Sequence, residues 1–217
     1  SDIVDHNFIT TDPNILKKQN ININNFHFIF VPVDKNIECF DVSKKKPIKD
    51  IFYAMSHGVN RAVLKKGKSD SRIHFLNNLV KKLDGIDYDF YGFQNKEPIW
   101  GNDFYKALIN SKMGLNLSRG LPTKYYSSNR IASLMGNGLL TFVDKKTYLN
   151  HMFNKNEMIF YDNINDLSDK INFYKKNDKL RAKIASAGRK KYFNLFNELK
   201  TTKYIIGKSV GNNTILY

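Results

Sequence analysis

The alternation of short apolar runs with longer amphipathic segments constrains the fold of this chain more than any other feature. Runs of strand length occur at residues 51–56, 88–93, 112–118, 139–143 and 157–162. The segments between and after them predict helices at about residues 71–83, 102–111, 128–136, 164–177 and 178–196. Because strands separated by helices form right-handed βαβ crossovers, the sequence predicts an α/β fold with a doubly wound, Rossmann-like parallel sheet.

The beginning of the chain fits this pattern less well, since it offers one strand, ending at Pro32, and one short helix. We therefore predict three parts. Residues 1–45 are a piece of another domain with its linker, residues 46–200 form the sheet domain, and residues 201–217 form a C-terminal tail.

The composition narrows the class of protein and its partners. Apolar residues are 41% of the chain and aromatic residues 13%, which is typical of a globular protein. A single cysteine, Cys39, excludes an internal disulfide and a cysteine-rich zinc site, and it suits the cytoplasm. No apolar run approaches the roughly 18 residues of a membrane span.

The formal net charge of +15 predicts attraction to anionic partners. The lysines are scattered along the chain, and Lys, Asn, Ile, Phe and Tyr are all abundant, as AT-rich coding sequences produce. We therefore expect no specific binding of nucleic acid, but a weak contact with an anionic membrane surface, at the inner face of the membrane.

Cationic, hydroxyl and aromatic side chains follow the predicted strands, where ligands bind in sheets of this type. The candidates are Ser56, His57, Gly58, Arg61, Lys66, Phe93, Ile99, Trp100, Arg119, Tyr126, Ser127, Ser128, Asn129 and Arg130. A helix N-terminus attracts phosphate, arginines neutralise it, and an aromatic ring such as Phe93 or Trp100 can flank a base. The combination predicts a site for a nucleoside diphosphate.

Simpler interpretations remain open for several of these residues. Ser127 and Ser128 are typical of a helix N-cap, and Gly136 and Gly138 of a helix C-cap. His57 alone is more often structural than catalytic. The sequence contains no P-loop, no dinucleotide-binding fingerprint and no pattern of metal ligands.

Four segments resemble, in order, the C-terminal, donor-binding domain of GT-B glycosyltransferases: DIFYAMSHGVNRAVLKKG, YDFYGF, FYKALINSKMGLNLSRG and YYSSNRIASLMGNGLLTF. The similarity covers about residues 28–200 and is greatest to the bacterial spore-maturation-like branch of the glycosyl transferases group 1 superfamily. It implies transfer of a sugar from a nucleotide-diphosphate sugar, such as a UDP-sugar, to a hydroxyl of a glycan, lipid or protein acceptor. Cell-surface polysaccharide or glycan synthesis is the expected setting, with neither metal nor other cofactor.

The resemblance also implies roles for individual residues. GVNRAVLKKG is similar to the Arg-x4-Lys-Gly element of the superfamily, which makes Arg61 and Lys66 the catalytic ligands of the diphosphate. The glutamate that holds the donor ribose falls at Ser133, and a carboxylate eight residues earlier falls at Tyr125. Because a serine cannot bind two hydroxyls as a carboxylate does, ribose recognition must differ or activity is reduced.

The same resemblance implies that residues 1–45 are the remnant of an N-terminal acceptor domain and the interdomain linker, so that most of this domain is a missing partner. Two other functions stay open. One is a non-catalytic nucleotide-sugar-binding or interaction module derived from the same fold, and the other, weaker one is a basic nucleic-acid-binding protein.

Overall fold

The computed structural model describes residues 4–56, 70–212 and 215. The strands in these ranges are β1 (Asn7–Ile9), β2 (Phe26–Phe28), β3 (Lys49–Ala54), β4 (Tyr88–Tyr91), β5 (Ser111–Asn116), β6 (Leu140–Asp144) and β7 (Ile159–Tyr161). Five of them form one parallel sheet in the order β4-β3-β5-β6-β7. The parallel sheet predicted from the sequence is confirmed.

The helices in the same ranges are α1 (Ser71–Val80), α2 (Gly101–Ile109), α3 (Asn129–Gly136), α4 (Ile164–Lys176), α5 (Asp178–Leu195) and α6 (Glu198–Ser209). Side chains alternate across β3, as the pleat requires. Ile51 and Tyr53 pack in the core that holds α1 and α4, whereas Phe52 and Ala54 pack in the core that holds α2 and α3. Helices therefore cover both faces of the sheet.

Helix α3 packs very closely on the sheet. A Cβ atom at Gly114 of β5 would lie 2.3 Å from a methyl carbon of Leu134, so only glycine admits this contact. After α3, Gly138 has a φ of 77° and donates its N–H to the carbonyl of Met135. The predicted glycine C-cap of this helix is thus confirmed.

The N-terminal segment contributes to the same packed body. The rings of Phe30 and Phe196 stack with centroids 4.3 Å apart, and the hydroxyl of Tyr192 donates to the carbonyl of Val31 at 2.8 Å. β1 and β2 form a separate two-stranded parallel sheet. Residues that the sequence predicts as a linker therefore supply core side chains beside α3 and α5.

At the other end of the chain, the segment predicted as a tail from residue 201 contains most of α6. Its first turn is fixed by Asn197, whose side chain accepts the N–H of Lys200, and Thr201 and Gly207 are buried. Residues 201–209 of the predicted tail are therefore helical, and the division of the chain at residue 200 stays a prediction.

Among the helices of the described ranges, none combines the length and the apolar character needed to cross a membrane.

Candidate nucleotide site at the carboxyl edge of the sheet

Arg130, in the first turn of α3, lies where the strand order reverses between β3 and β5. Its Nε donates to the carbonyl of Ala54 at 3.1 Å, and its Nη1 donates to the carbonyl of Leu117 at 3.0 Å. The guanidinium also lies 4.9 Å from the ring centroid of Tyr53. The carboxyl ends of β3 and β5 thus hold Arg130 at the position where sheets of this class bind ligands.

The charge of this guanidinium is not neutralised by its neighbours in the described ranges. Its hydrogen bonds within the described ranges go to backbone carbonyls, and no carboxylate there forms an ion pair with it. Burial lowers the pKa of Arg130, and the nearby charge of Arg72 lowers it further. Because the pKa of an arginine starts far above neutrality, the group stays charged and is available to an anion.

A buried ion pair stands next to Arg130. Asp70, the N-cap residue of α1, accepts hydrogen bonds from Nη2 of Arg72 at 2.5 Å and from its Nε at 3.0 Å. The hydrogen bond from Arg72 is the main cause of the lowered pKa of Asp70. Nε of Arg119 lies 3.7 Å from the same carboxylate, and Nη2 of Arg72 reaches the carbonyl of Ser56 at 3.3 Å.

We call the residues Asp70, Arg72, Arg119 and Arg130 the cationic crest. Arg72 and Arg119 contact the carboxylate of Asp70, and Arg130 adds a third guanidinium, so the side chains of the crest carry a net positive charge. The predicted ligands His57, Gly58, Arg61 and Lys66 lie outside the described residues. The segment that carries them joins Ser56 to Asp70, and both of these residues lie at the crest.

The two serines at the start of α3 have different environments. Ser127 is buried, and its Oγ accepts the N–H of Val31 at 3.2 Å, so this hydroxyl contacts the N-terminal segment. A role of the Ser127 side chain in donor binding stays a prediction. Ser128 occupies the N-cap position, but its side chain makes no capping hydrogen bond. Its Oγ is buried and has no partner among the described residues.

Replacing Ser128 by alanine is expected to leave the free energy of unfolding within about 0.5 kcal/mol, because no hydrogen bond is lost. The matched comparison is Asn163→Ala at the start of α4. The side chain of Asn163 accepts the N–H groups of Asn165 and Asp166 at 3.0 and 3.1 Å, and its loss is expected to cost about 1 kcal/mol. Urea unfolding of both variants measures the difference; equal losses would show that Ser128 caps α3 after all.

The residues predicted to contact a base also differ in their exposure. Trp100 precedes α2 and is 67% exposed, so its ring can receive a base, and Ile99 beside it is half-buried. Phe93, by contrast, is 2% exposed and packs against Phe90 in the core. The ring of Phe93 is therefore buried in this structure, and its contact with a base stays a prediction.

The remaining candidates lie on or before α3. Tyr126 is half-buried near the guanidinium of Arg130, and Asn129 is exposed at the first position of the helix. Ser133 is 7% exposed and lies near Tyr105 of α2, since both residues line the same cavity. Ser133 thus faces α2 and not the crest.

Sequence reasoning missed the carboxylate and one arginine of the crest. Asp70 directly precedes the predicted helix at 71–83, which is the N-cap position, so the helix pattern carried a signal for it. Arg72 had no such signal, because its partner and its burial depend on how α1 packs against the sheet.

A glycosyl transferase-like family model matches residues 71–197, which is more than half of the 217-residue chain. The chain belongs to the glycosyl transferase-like family. This match covers α1 to α5, the three arginines of the cationic crest and every predicted donor-binding residue from Phe93 onward. The narrower resemblance to the spore-maturation-like branch stays a prediction. No curated protein sequence matches the chain.

Solved structures with the same fold include bacterial glycosyltransferases. A crystal structure of a variant of S. aureus TarM in complex with Fondaparinux, alpha-GlcNAc-glycerol and UDP has a TM-score of 0.68 at 16% identity, covering 98% of this chain and 45% of that one. Anabaena HepE in complex with UDP-glucose has a TM-score of 0.68 at 12% identity, covering 94% of this chain and 63% of that one. A glycosyltransferase from Rickettsia africae has a TM-score of 0.64 at 16% identity, covering 95% of this chain and 64% of that one.

These neighbours confirm the predicted GT-B Rossmann-like fold. The chain spans about half to two thirds of the length of the glycosyltransferases that it matches.

Proposed function

We propose that this chain is the donor-binding part of a glycosyltransferase that transfers a sugar from a nucleotide-diphosphate sugar, first of all a UDP-sugar, to an acceptor hydroxyl. The observation that carries the proposal is the position of Arg130: a guanidinium without a carboxylate partner in the described ranges, fixed at the reversal point of a parallel sheet. Membership of the glycosyl transferase-like family supports the reaction class.

The cationic crest suits the charge that develops during such a transfer. When the bond between the sugar and the diphosphate breaks, the leaving diphosphate gains negative charge. Arg130 and the N-terminus of α3 can stabilise this charge without rearrangement, because the sheet already holds them in place. Arg61 and Lys66 are proposed as further catalytic ligands of the diphosphate. Since these groups supply positive charge, we propose that no metal and no other cofactor is needed.

The other partners belong to the proposal as well. The acceptor, whether a glycan, a lipid or a protein, would bind to an N-terminal domain of which residues 1–45 are the remnant. We place the reaction in the bacterial cytoplasm, in polysaccharide synthesis, with the net charge of +15 giving weak attraction to the inner face of the membrane.

A non-catalytic nucleotide-sugar-binding module is the second candidate. It is favoured by Ser133 and Tyr125, which stand where the resemblance places two carboxylates. Both candidates bind the donor, and only turnover separates them.

Ligand-dependent thermal unfolding tests the proposal. A UDP-sugar at about 100 times its Kd is expected to stabilise the protein by about 2.7 kcal/mol, and GDP- and ADP-sugars serve as comparison. Release of the nucleoside diphosphate, with and without EDTA, then reports turnover and its metal dependence. Stabilisation without release would favour the binding module. If no nucleotide sugar stabilises the protein while oligonucleotides do, the proposal is wrong.

A further inference from the structure

An acidic cavity lies beside the cationic crest, on the other side of the first turn of α3. It has a volume of about 430 Å³ and is enclosed by the N-terminal segment, α2, α3 and the start of α6. The polar side chains that line it are those of Asp34, Glu38, Tyr105, Asn129, Ser133 and Glu198. We call it the Glu38 cavity.

Two carboxylates of this cavity lack cationic partners within the described ranges. Glu38 is 5% exposed, and its Oε2 accepts the N–H of Asp34 at 2.9 Å. Burial raises the pKa of Glu38, as expected for a carboxylate that is removed from water without a cation nearby. Oε2 of Glu198 is buried and has no hydrogen-bond partner among the described residues. The cavity therefore contains one carboxylate oxygen without a donor, that of Glu198, and a second carboxylate, that of Glu38, without a cation among the described residues.

The chemistry of the cavity selects its ligand. Its carboxylates repel phosphate, whereas a neutral group with several hydroxyls supplies the missing donors. Two oxygens of one carboxylate can accept two neighbouring hydroxyls, as in the vicinal diol of a sugar ring. Asn129, which lines the cavity, directly precedes Arg130 on α3. One molecule with a diphosphate and a sugar ring can thus occupy the crest and the cavity together.

We propose that Glu38 and Glu198 bind hydroxyl groups of the nucleotide sugar, namely a vicinal diol of its ribose or of its transferred sugar. This inference rests on the proposed function. It also accounts for the serine at position 133, because the carboxylate is supplied by another element facing the same cavity. Glu38 packs tightly on α3: a Cβ atom at Gly136 would lie 2.5 Å from Cγ of Glu38.

The test is the substitution Glu38→Gln, which keeps the shape of the side chain and removes its charge. The ligand is the nucleoside diphosphate, among UDP, GDP and ADP, that stabilises the wild type most. Calorimetric titration measures the Kd of its ribo form and of its 2′-deoxyribo form. If the ribose is bound, the wild type prefers the ribo form by about tenfold, and Glu38→Gln reduces this preference to about twofold or less. If the transferred sugar is bound instead, the wild type prefers UDP-glucose to UDP, and Glu38→Gln reduces this preference to the same extent.

Glu157→Gln is the matched control. Oε2 of Glu157 accepts the N–H of Asn154 at 2.9 Å, the same type of turn contact that Glu38 makes, but Glu157 does not line the Glu38 cavity. This variant is expected to keep both preferences of the wild type. In the double variant Glu38→Gln with Ser133→Glu, a carboxylate again faces the cavity, and the lost preference is expected to return at least in part.

Three results would overturn the inference. The first is a wild type that shows neither preference, a measurement that does not depend on whether any variant folds. The second is a Glu38→Gln variant that keeps the preference, and the third is a control that loses it equally. Failure of the proposed function looks different, since UDP, GDP, ADP and UDP-glucose would then not bind to the wild type at all.

Discussion

The variant Asp70→Ala is expected to lose about 3–5 kcal/mol of unfolding free energy, because it leaves buried positive charge without its partner. The side chains of Asp70 and Arg72 are 3% and 7% exposed, and Nη2 of Arg72 lies 2.5 Å from the carboxylate. Asp70 also accepts the backbone N–H of Arg72 at 3.0 Å, so the first turn of α1 loses its cap as well. Arg119, 3.7 Å away, loses an ion pair in addition.

Urea unfolding measures this loss, with Asp103→Ala as the control. Asp103 pairs with Lys106 at 3.3 Å, but both side chains are 75% exposed, and such surface pairs contribute little. The control is therefore expected to change stability by no more than about 0.5 kcal/mol. Similar losses of unfolding free energy in the two variants would contradict the interpretation that the Asp70 ion pair stabilises the fold because it is buried.

The pH dependence of the same comparison has a definite sign. Folding lowers the pKa of Asp70, chiefly through the hydrogen bond from Arg72. A lowered pKa means that the stabilisation is present above the unfolded value, about 3.9, and is lost as the pH falls through the folded value. The difference between wild type and Asp70→Ala should thus be constant near neutrality and shrink in acid below about pH 4.

The sequence was sufficient to predict the sheet, because its information is local. The strands contain short apolar stretches such as Ile51 to Ala54 of β3, and buried parallel strands require little else. Gly138 after α3 was predictable for the same reason, since a left-handed backbone position close to a helix end favours glycine. Helix α6 was missed because its exposed face carries Leu199 and Ile206, which weakens the amphipathic pattern.

The site was predicted less completely, because contacts distant in sequence decide it. Ser127 has the sequence position of a phosphate ligand or a cap, yet its hydroxyl is occupied by Val31, 96 residues earlier. Glu38 gave no signal, since it lies in a segment that the sequence predicts as a linker, and only the packing of that segment on α3 brings it near Ser133. Arg130, in contrast, was predicted correctly as a residue of the sheet edge, because its distance from the helix start follows from the local pattern.

Arg130 also gives the largest expected effect on ligand binding. The substitution Arg130→Met keeps a long apolar side chain against Tyr53 and removes the charge. Loss of a charge-assisted contact is expected to weaken binding of UDP by about 1.5–3 kcal/mol, or roughly 10- to 150-fold, whereas affinity for uridine stays nearly unchanged. The ratio of the two affinities, measured by titration of the folded protein, isolates the contact with the diphosphate.

Arg189→Met is a closely matched control for this measurement. Nε of Arg189 donates to the carbonyl of Gly136 at 2.7 Å and its Nη2 to that of Glu38 at 3.2 Å, and its guanidinium lies 4.8 Å from the ring centroid of Phe193. Arg130 likewise binds two backbone carbonyls and an aromatic ring, but it does so at the carboxyl edge of the sheet. Both substitutions remove two hydrogen bonds to backbone carbonyls, one contact with an aromatic ring and one positive charge; Arg189 differs in lying 4.0 Å from the carboxylate of Asp41. General electrostatic attraction should therefore change the UDP-to-uridine ratio similarly in both variants. If only Arg130→Met lowers this ratio, the charge acts through its position; if both variants lower it alike, Arg130 is not a ligand of the diphosphate.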